Sequence, residues 1–166
     1  MAADVTAIAA VADNGVIGLE DDLPWDSYPA DLEFFKERTH GHPVILGRVT
    51  FESIRDRLGG PLPGRTNVVV SRTQHFKGEW IRTVQSPGSA IALALTLDDE
   101  CYIAGGHSIY EALLPVANRL LITEIPESPS GDAVFPELGE KWHTVSREEG
   151  PNDLVFVEYQ KESDFE

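Results

Sequence analysis

Positive charge is scarce in this 166-residue sequence: 13 Lys and Arg stand against 28 Asp and Glu, for a net charge of −15. Only Lys36, Lys77, Lys141 and Lys161 are lysines. A surface so poor in cations argues against general binding to nucleic acid or to an anionic membrane. Cysteine is nearly missing. The single Cys101 excludes an internal disulfide and supplies no metal cluster, and its setting in CYIAGG predicts a strand residue facing the core. The N-terminus has no basic region leading into an apolar run, and no stretch approaches the run of about 18 apolar residues that a membrane span needs. A soluble, cytoplasmic protein without a metal site is expected. No repeat, low-complexity segment or interdomain linker breaks the chain, so residues 1–166 read as one domain.

What is present suits a globular fold, with 42% hydrophobic residues, three Trp and seven Phe. The acids have two explanations: an interaction patch, or a solvated skin suited to high salt. They are scattered, at Asp21-Asp22, Asp98-Asp99-Glu100, Glu148-Glu149 and the tail from Ser163 to Glu166. Scatter combined with few lysines favours the skin.

Apolar patterning predicts strands over 4–12, 43–46, 66–71, 80–84, 101–104 and 119–125, each buried or nearly so. Helices are expected from Pro29 to about Thr39, over 48–58, over 89–97 and over 105–115, where Pro115 helps to end the last. Residues 13–28 read as a long loop with turn signals at Asn14-Gly15 and Gly18, a length that is uncommon without a function. GDAVFPEL (131–138) is a turn with a short extended piece, and WHTVSREE with LVFVEYQK forms a terminal hairpin. Strand and helix alternate to about residue 125 and strands alone follow. The fold class is α/β, a mostly parallel, mixed central sheet of about eight strands with an antiparallel C-terminal edge and helices on both faces.

In LPWDSYPADLEFFK (23–36), Asp31 shares a helical face with Phe34 and Phe35. Asp favours the first turn of a helix and Pro its first position, so PAD is readable as a helix start alone. The other reading is a carboxylate in the wall of an apolar pocket. In LGRVTFES, Gly47 turns a strand into a helix whose first residues include Arg48 and Thr50, groups suited to an anion. Gly105-Gly106 in YIAGGHSIY occupies a second such turn, where ligand phosphates can approach the backbone. Tight-turn glycines explain either one alone. Two at the carboxyl ends of strands in one sheet point to a ligand crevice. Neither is a GxGxxG nor a Walker loop, which argues against an ordinary dinucleotide fold or an NTPase. Ser71-Arg72 ends another strand at the same edge, and Arg65 lies in PLPGR. Either Arg suits an anionic ligand, or serves as a solvated loop cation or a partner of the surface acids.

Taken in order, LPW..PAD..FFK, PVILGR.TFESI, PLPGR.NVVVSR, YI.GG..IYE.LLP, RLLIT.I and GD..FP resemble dihydrofolate reductase, over nearly the whole chain from about Val5 to Phe156. The acidic, lysine-poor composition makes it similar to the halophilic archaeal members. The resemblance implies NADPH-dependent reduction of 7,8-dihydrofolate to tetrahydrofolate for one-carbon metabolism, by a monomer. It implies that Asp31 is the acid that binds the pterin's amino group and ring nitrogen and assists protonation at N5. It implies that Thr123 hydrogen-bonds to that acid, and that Phe35, Ile54, Ile8, Leu32 and Leu62 wall the substrate. Arg65 would clamp the substrate's glutamate α-carboxylate.

On the cofactor side the resemblance places Arg48, Thr50, Ser71 and Arg72 at the phosphates of NADPH, with Gly47 and Val49 in the same turn. Gly105-Gly106 corresponds to a cis Gly-Gly peptide against the cofactor, followed by His107, Ser108, Ile109 and Tyr110. Ala10, Ile17 and Gly18 sit where the nicotinamide packs. The loop from Asp13 to Tyr28, with Trp25 near its end, matches a mobile loop that closes over the nicotinamide, and Asp132 matches an acid in a second loop that steadies it. Departures are Ala104 in place of Ile or Val, which leaves the pterin pocket roomier, and Gly15, which adds flexibility to the mobile loop. An extra residue lies between Trp25 and Pro29. His107 replaces a small residue, and Ser108 replaces an Arg of some members, which shifts the preference for NADPH onto Arg72. The NADPH-dependent reductase of riboflavin synthesis shares the sheet and cofactor loops but lacks the PAD..FFK and PLPGR set. A non-catalytic pterin or nucleotide binder would not need the acid and the long loop together.

Overall fold

The computed structural model describes residues 3–18, 25 and 28–162. Strand β1 (Asp4–Ala12) and the short β2 (Val16–Gly18) precede helix α1 (Pro29–Thr39), β3 (Val44–Gly47) and α2 (Arg48–Leu58). Then come β4 (Asn67–Val70), β5 (Ile81–Val84), α3 (Pro87–Leu97), β6 (Glu100–Ile103) and α4 (His107–Leu113). The chain closes with β7 (Arg119–Ile125), β8 (Ala133–Val134), β9 (Trp142–Glu149) and β10 (Val155–Lys161). Eight strands form one sheet in the order β5-β4-β3-β6-β1-β7-β10-β9, and β2 pairs with β8 in a separate ribbon. From β5 to β7 every pairing is parallel, whereas β10 runs antiparallel to both β7 and β9. This is the mixed sheet that the strand and helix pattern predicts.

Alternation along the strands sends side chains to two cores. Ile45, Val68 and Ile103 face one, with Ala90 and Ala94 of α3 and Ile109 and Leu113 of α4 packed on them. Val44, Leu46 and Val69 face the other, closed by Phe51 of α2 and flanked by Phe34 and Phe35 of α1. A strand covered on both faces buries every position, as Val5 to Ala9 show, and the one polar side chain among them, Thr6, accepts a hydrogen bond from Arg119 Nε at 3.0 Å. Cys101 is one of these core residues, and burial pushes its thiol up to about 11.

Three elements differ from the sequence expectation by more than a residue at an end. Helix α3 begins at Pro87 rather than at residue 89, because Ser86 caps it by accepting a hydrogen bond from the Ser89 N–H at 3.1 Å. Helix α4 is shorter than 105–115: Gly105 has φ +105, outside the helical region, and Leu114–Val116 tighten into a 3-10 turn. Within the expected loop over 13–28, Val16–Gly18 is a strand whose partner lies more than a hundred residues on. The loop residues 19–24, 26 and 27 lie outside the described residues.

Candidate active site

The parallel strands deliver their carboxyl ends to one edge of the sheet, and there a cavity of about 930 Å³ opens between α1, α2, α4 and the β2–β8 ribbon. Asp31 lines it from the first turn of α1. Among the described residues no backbone N–H of α1 donates to its side chain, and the N-cap residue Tyr28 makes no side-chain cap either. The Thr123 hydroxyl, in β7, hydrogen-bonds to the carboxylate instead. Burial pushes the Asp31 carboxyl above its ordinary 3.8, and the Thr123 hydrogen bond pulls the other way without cancelling it. Asp31 therefore stands both in the first turn of a helix and on the pocket wall.

Around Asp31 the surface is apolar. Ile8, Ala9 and Ala10 of β1, Leu32 and Phe35 of α1, Ile54 of α2 and Leu62 all line the cavity, and Ala104 stands at the end of β6 among them. Tyr110 donates to the Ile8 carbonyl at 2.7 Å, tying α4 to the central strand. Leu32 is half exposed and Phe34 turns away to stack on Phe156, with centroids 4.7 Å apart.

The two glycine turns meet. The Gly47 N–H donates to the Gly105 carbonyl at 2.8 Å, and the Gly105–Gly106 peptide is cis. A Cβ on Gly47 would approach Ile109 to 3.2 Å, and one on Gly106 would approach the Thr50 hydroxyl to 3.3 Å. Both glycines line the cavity, so with no side chain their backbone is bare toward a ligand. Arg48, Val49 and Thr50 line the cavity beside this junction, as do Ser71 and Arg72 at the end of β4. Arg48 also bonds Glu52 at 2.7 Å. Cationic and hydroxyl groups around a backbone cradle fit a phosphate-bearing cofactor. From the far side Ile17, Gly18 and Asp132 complete the wall, and His107, Ser108, Ile109 and Tyr110 bring the first turn of α4.

Four expected residues do not line the cavity. Thr123 and Gly105 sit one layer behind it, as described, and Trp25 is half-buried outside its wall. Arg65 is buried, with Nε donating to the Pro63 carbonyl at 2.9 Å and Nη1 to the Thr39 hydroxyl at 2.9 Å. Among the described residues no carboxylate pairs with it, and burial pulls its guanidinium below the ordinary value.

This crevice and sheet have counterparts among known proteins. The sequence model of the dihydrofolate reductase family matches residues 4–161. The chain belongs to the dihydrofolate reductase family. It is 41% identical over 160 residues to the dihydrofolate reductase HdrB of Haloferax volcanii, covering 93% of this chain and 81% of that one. It is 44% identical over 150 residues to the type 3 dihydrofolate reductase of Salmonella typhimurium, covering 90% and 89% of the two chains. A dihydrofolate reductase from Enterococcus faecalis, solved with NADP(H) and RAB-propyl, superposes with a TM-score of 0.86 at 32% identity, covering 96% of this chain and 97% of that one. Reduction of dihydrofolate by NADPH is the family's activity, and this chain is such an enzyme.

Sequence reasoning missed part of the wall. Ser53, Arg57 and Leu58 continue the face of α2 that carries Thr50 and Ile54, and Gln85 and Pro87 follow β5 beside Arg72. Helical spacing was the available signal for the first three. The others follow only from knowing that β4 and β5 are neighbours.

Proposed function

We propose that this cavity is where the chain reduces 7,8-dihydrofolate to 5,6,7,8-tetrahydrofolate, with Asp31 as the proton-handling group. Asp31 carries the reading: it is a carboxyl group on an apolar wall, hydrogen-bonded from behind by Thr123 and held above its ordinary value by burial. When bound, NADPH supplies the hydride, and the protein contributes binding, orientation and electrostatics. Asp31 accepts hydrogen bonds from the pterin's amino group and ring nitrogen and favours the substrate protonated at N5. Phe35, Ile54, Leu62 and Ile8 exclude water around the ring, which strengthens that interaction.

Arg65 suits the glutamate tail of the substrate. It is a buried cation that no acid of the described chain claims, in a protein of 28 acids, and its Nη2 has no protein partner among the described residues. Arg48, Thr50, Ser71 and Arg72 would hold the phosphates of NADPH. The finer reading is of one domain over residues 1–166, a monomer working in a salty cytoplasm without nucleic-acid or membrane partners. The charge of −15 supports it, and no helix among the described residues is long and apolar enough to cross a membrane.

Loss of NADPH absorbance on adding dihydrofolate tests the reading. Oxidation of NADPH that requires dihydrofolate, and does not occur with the deaminated pyrimidine substrate of riboflavin synthesis, is the expected result. Binding of both molecules without turnover would instead make the chain a binder.

A further inference from the structure

The mechanism gives the imidazole of His107 nothing to do. His107 is the first residue of α4, beside Gly106, and lines the cavity. Its Nδ1 lies 2.6 Å from the Val134 carbonyl oxygen in β8, and its Nε2 lies 3.4 Å from the Glu111 carboxylate one turn on. A carbonyl oxygen only accepts, so Nδ1 carries a proton and donates it to this bond.

The contact joins two walls of one cavity. Strand β8 pairs with β2, and the ribbon continues where the Asp132 N–H donates to the Gly18 carbonyl at 3.0 Å and the Phe135 N–H to the Gly15 carbonyl at 2.9 Å. Ile17, Gly18, Asp132 and Ala133 of this ribbon face the cavity. A two-residue strand with an exposed Val134 has little burial to hold it in place. The ribbon also meets α4 through the rings of Tyr110 and Phe135, 5.0 Å apart, a contact that sets no register.

We propose that His107 is a positioning residue: its Nδ1–H bond to Val134 pins the β2–β8 ribbon against the first turn of α4 and so retains the cofactor behind that wall. The second half rests on reading the cavity as the NADPH site; the first half does not.

The test uses three variants of the full chain. His107→Asn keeps a side-chain N–H near the place of Nδ1, His107→Gln moves it toward the place of Nε2, and His107→Ala removes it. Amide hydrogen exchange at Asp132 and Phe135, without cofactor, should quicken about two- to tenfold in the Ala and Gln variants, the worth of one hydrogen bond. The Asn variant should restore it, and amides of β10 should not change. NADPH dissociation, followed by displacement, should quicken by a similar factor in the same two variants. Unchanged exchange in His107→Ala, an equal rise in β10, or an Asn variant that behaves like Ala overturns the latch. Faster ribbon exchange with unchanged NADPH release overturns the link to the cofactor and counts against placing it behind this wall.

Discussion

Burial makes the ionised form of Asp31 costly to the fold. The folded carboxyl binds its proton more tightly than the unfolded one, so ionised Asp31 subtracts stability as pH rises above 3.8, and in full above the raised folded value. Asp31→Asn should therefore melt higher than the parent at neutral pH, with the difference vanishing well below pH 3.8; thermal unfolding at several pH values checks this. The two arginines separate the ligands. Arg72→Ala should raise KM for NADPH and leave NADH nearly unaffected, while Arg65→Ala should raise KM for dihydrofolate alone. Each loss is about 1.5–3 kcal/mol, roughly ten- to a hundredfold. Arg65→Ala should also lower the melting temperature, since it releases Thr39 and Pro63, and exposed Arg72 should not. Equal effects of either change on both ligands would make these residues structural. Of the site, Asp31, Phe35 and the glycine turns were legible because residue type and helical spacing carry them. Thr123 came only through the family resemblance, since nothing in RLLITEI reports what lies across the sheet.

At the level of elements, long apolar strands and the 3.6-residue period placed nearly everything, and the antiparallel end followed from strands without intervening helices. What escaped is the β2–β8 ribbon. Three residues and two residues cannot show periodicity, and their pairing exists only because the chain returns at residue 133. Close approach makes the ribbon possible: a Cβ on Gly131 would lie 2.2 Å from the Val16 side chain and 2.6 Å from the Gly18 carbonyl. The backbone oxygen cannot step aside cheaply. Gly131→Ala should spread the ribbon at a cost of about 1–3 kcal/mol. It should weaken NADPH binding about fivefold or more and lower the melting temperature by several degrees, as fluorescence titration and thermal unfolding would show. Binding equal to the parent's would mean that the ribbon is not part of the cofactor wall.

Over the whole molecule, charge acts in a way that no single contact explains. The exposed edge strand β9 ends in Arg147, Glu148 and Glu149, and acids are spread rather than gathered. Charged edges resist pairing with another sheet, but a net charge of −15 on one small body repels itself. The Debye length grows to about 30 Å at 0.01 M salt, so repulsion is then felt across the whole protein. Melting temperature and activity should both rise from low to molar KCl. A melting temperature that is flat or falling across that range would contradict the solvated-skin reading and favour an acidic interaction patch.

If Asp31 manages the proton that dihydrofolate must take up, single-turnover hydride transfer depends on its charge. The comparison is between the parent and Asp31→Asn, at constant high salt, from about pH 5 to about pH 9. Asn keeps the shape and one carbonyl acceptor but loses the titrating charge. At neutral pH the variant should be slower by a factor of the order of 10²–10⁴. The gap should narrow as pH falls, because solvent then protonates the substrate unaided, and NADPH affinity should hardly change. A variant with the parent's rate and the parent's pH profile would return Asp31 to the role of a helix start and contradict the account.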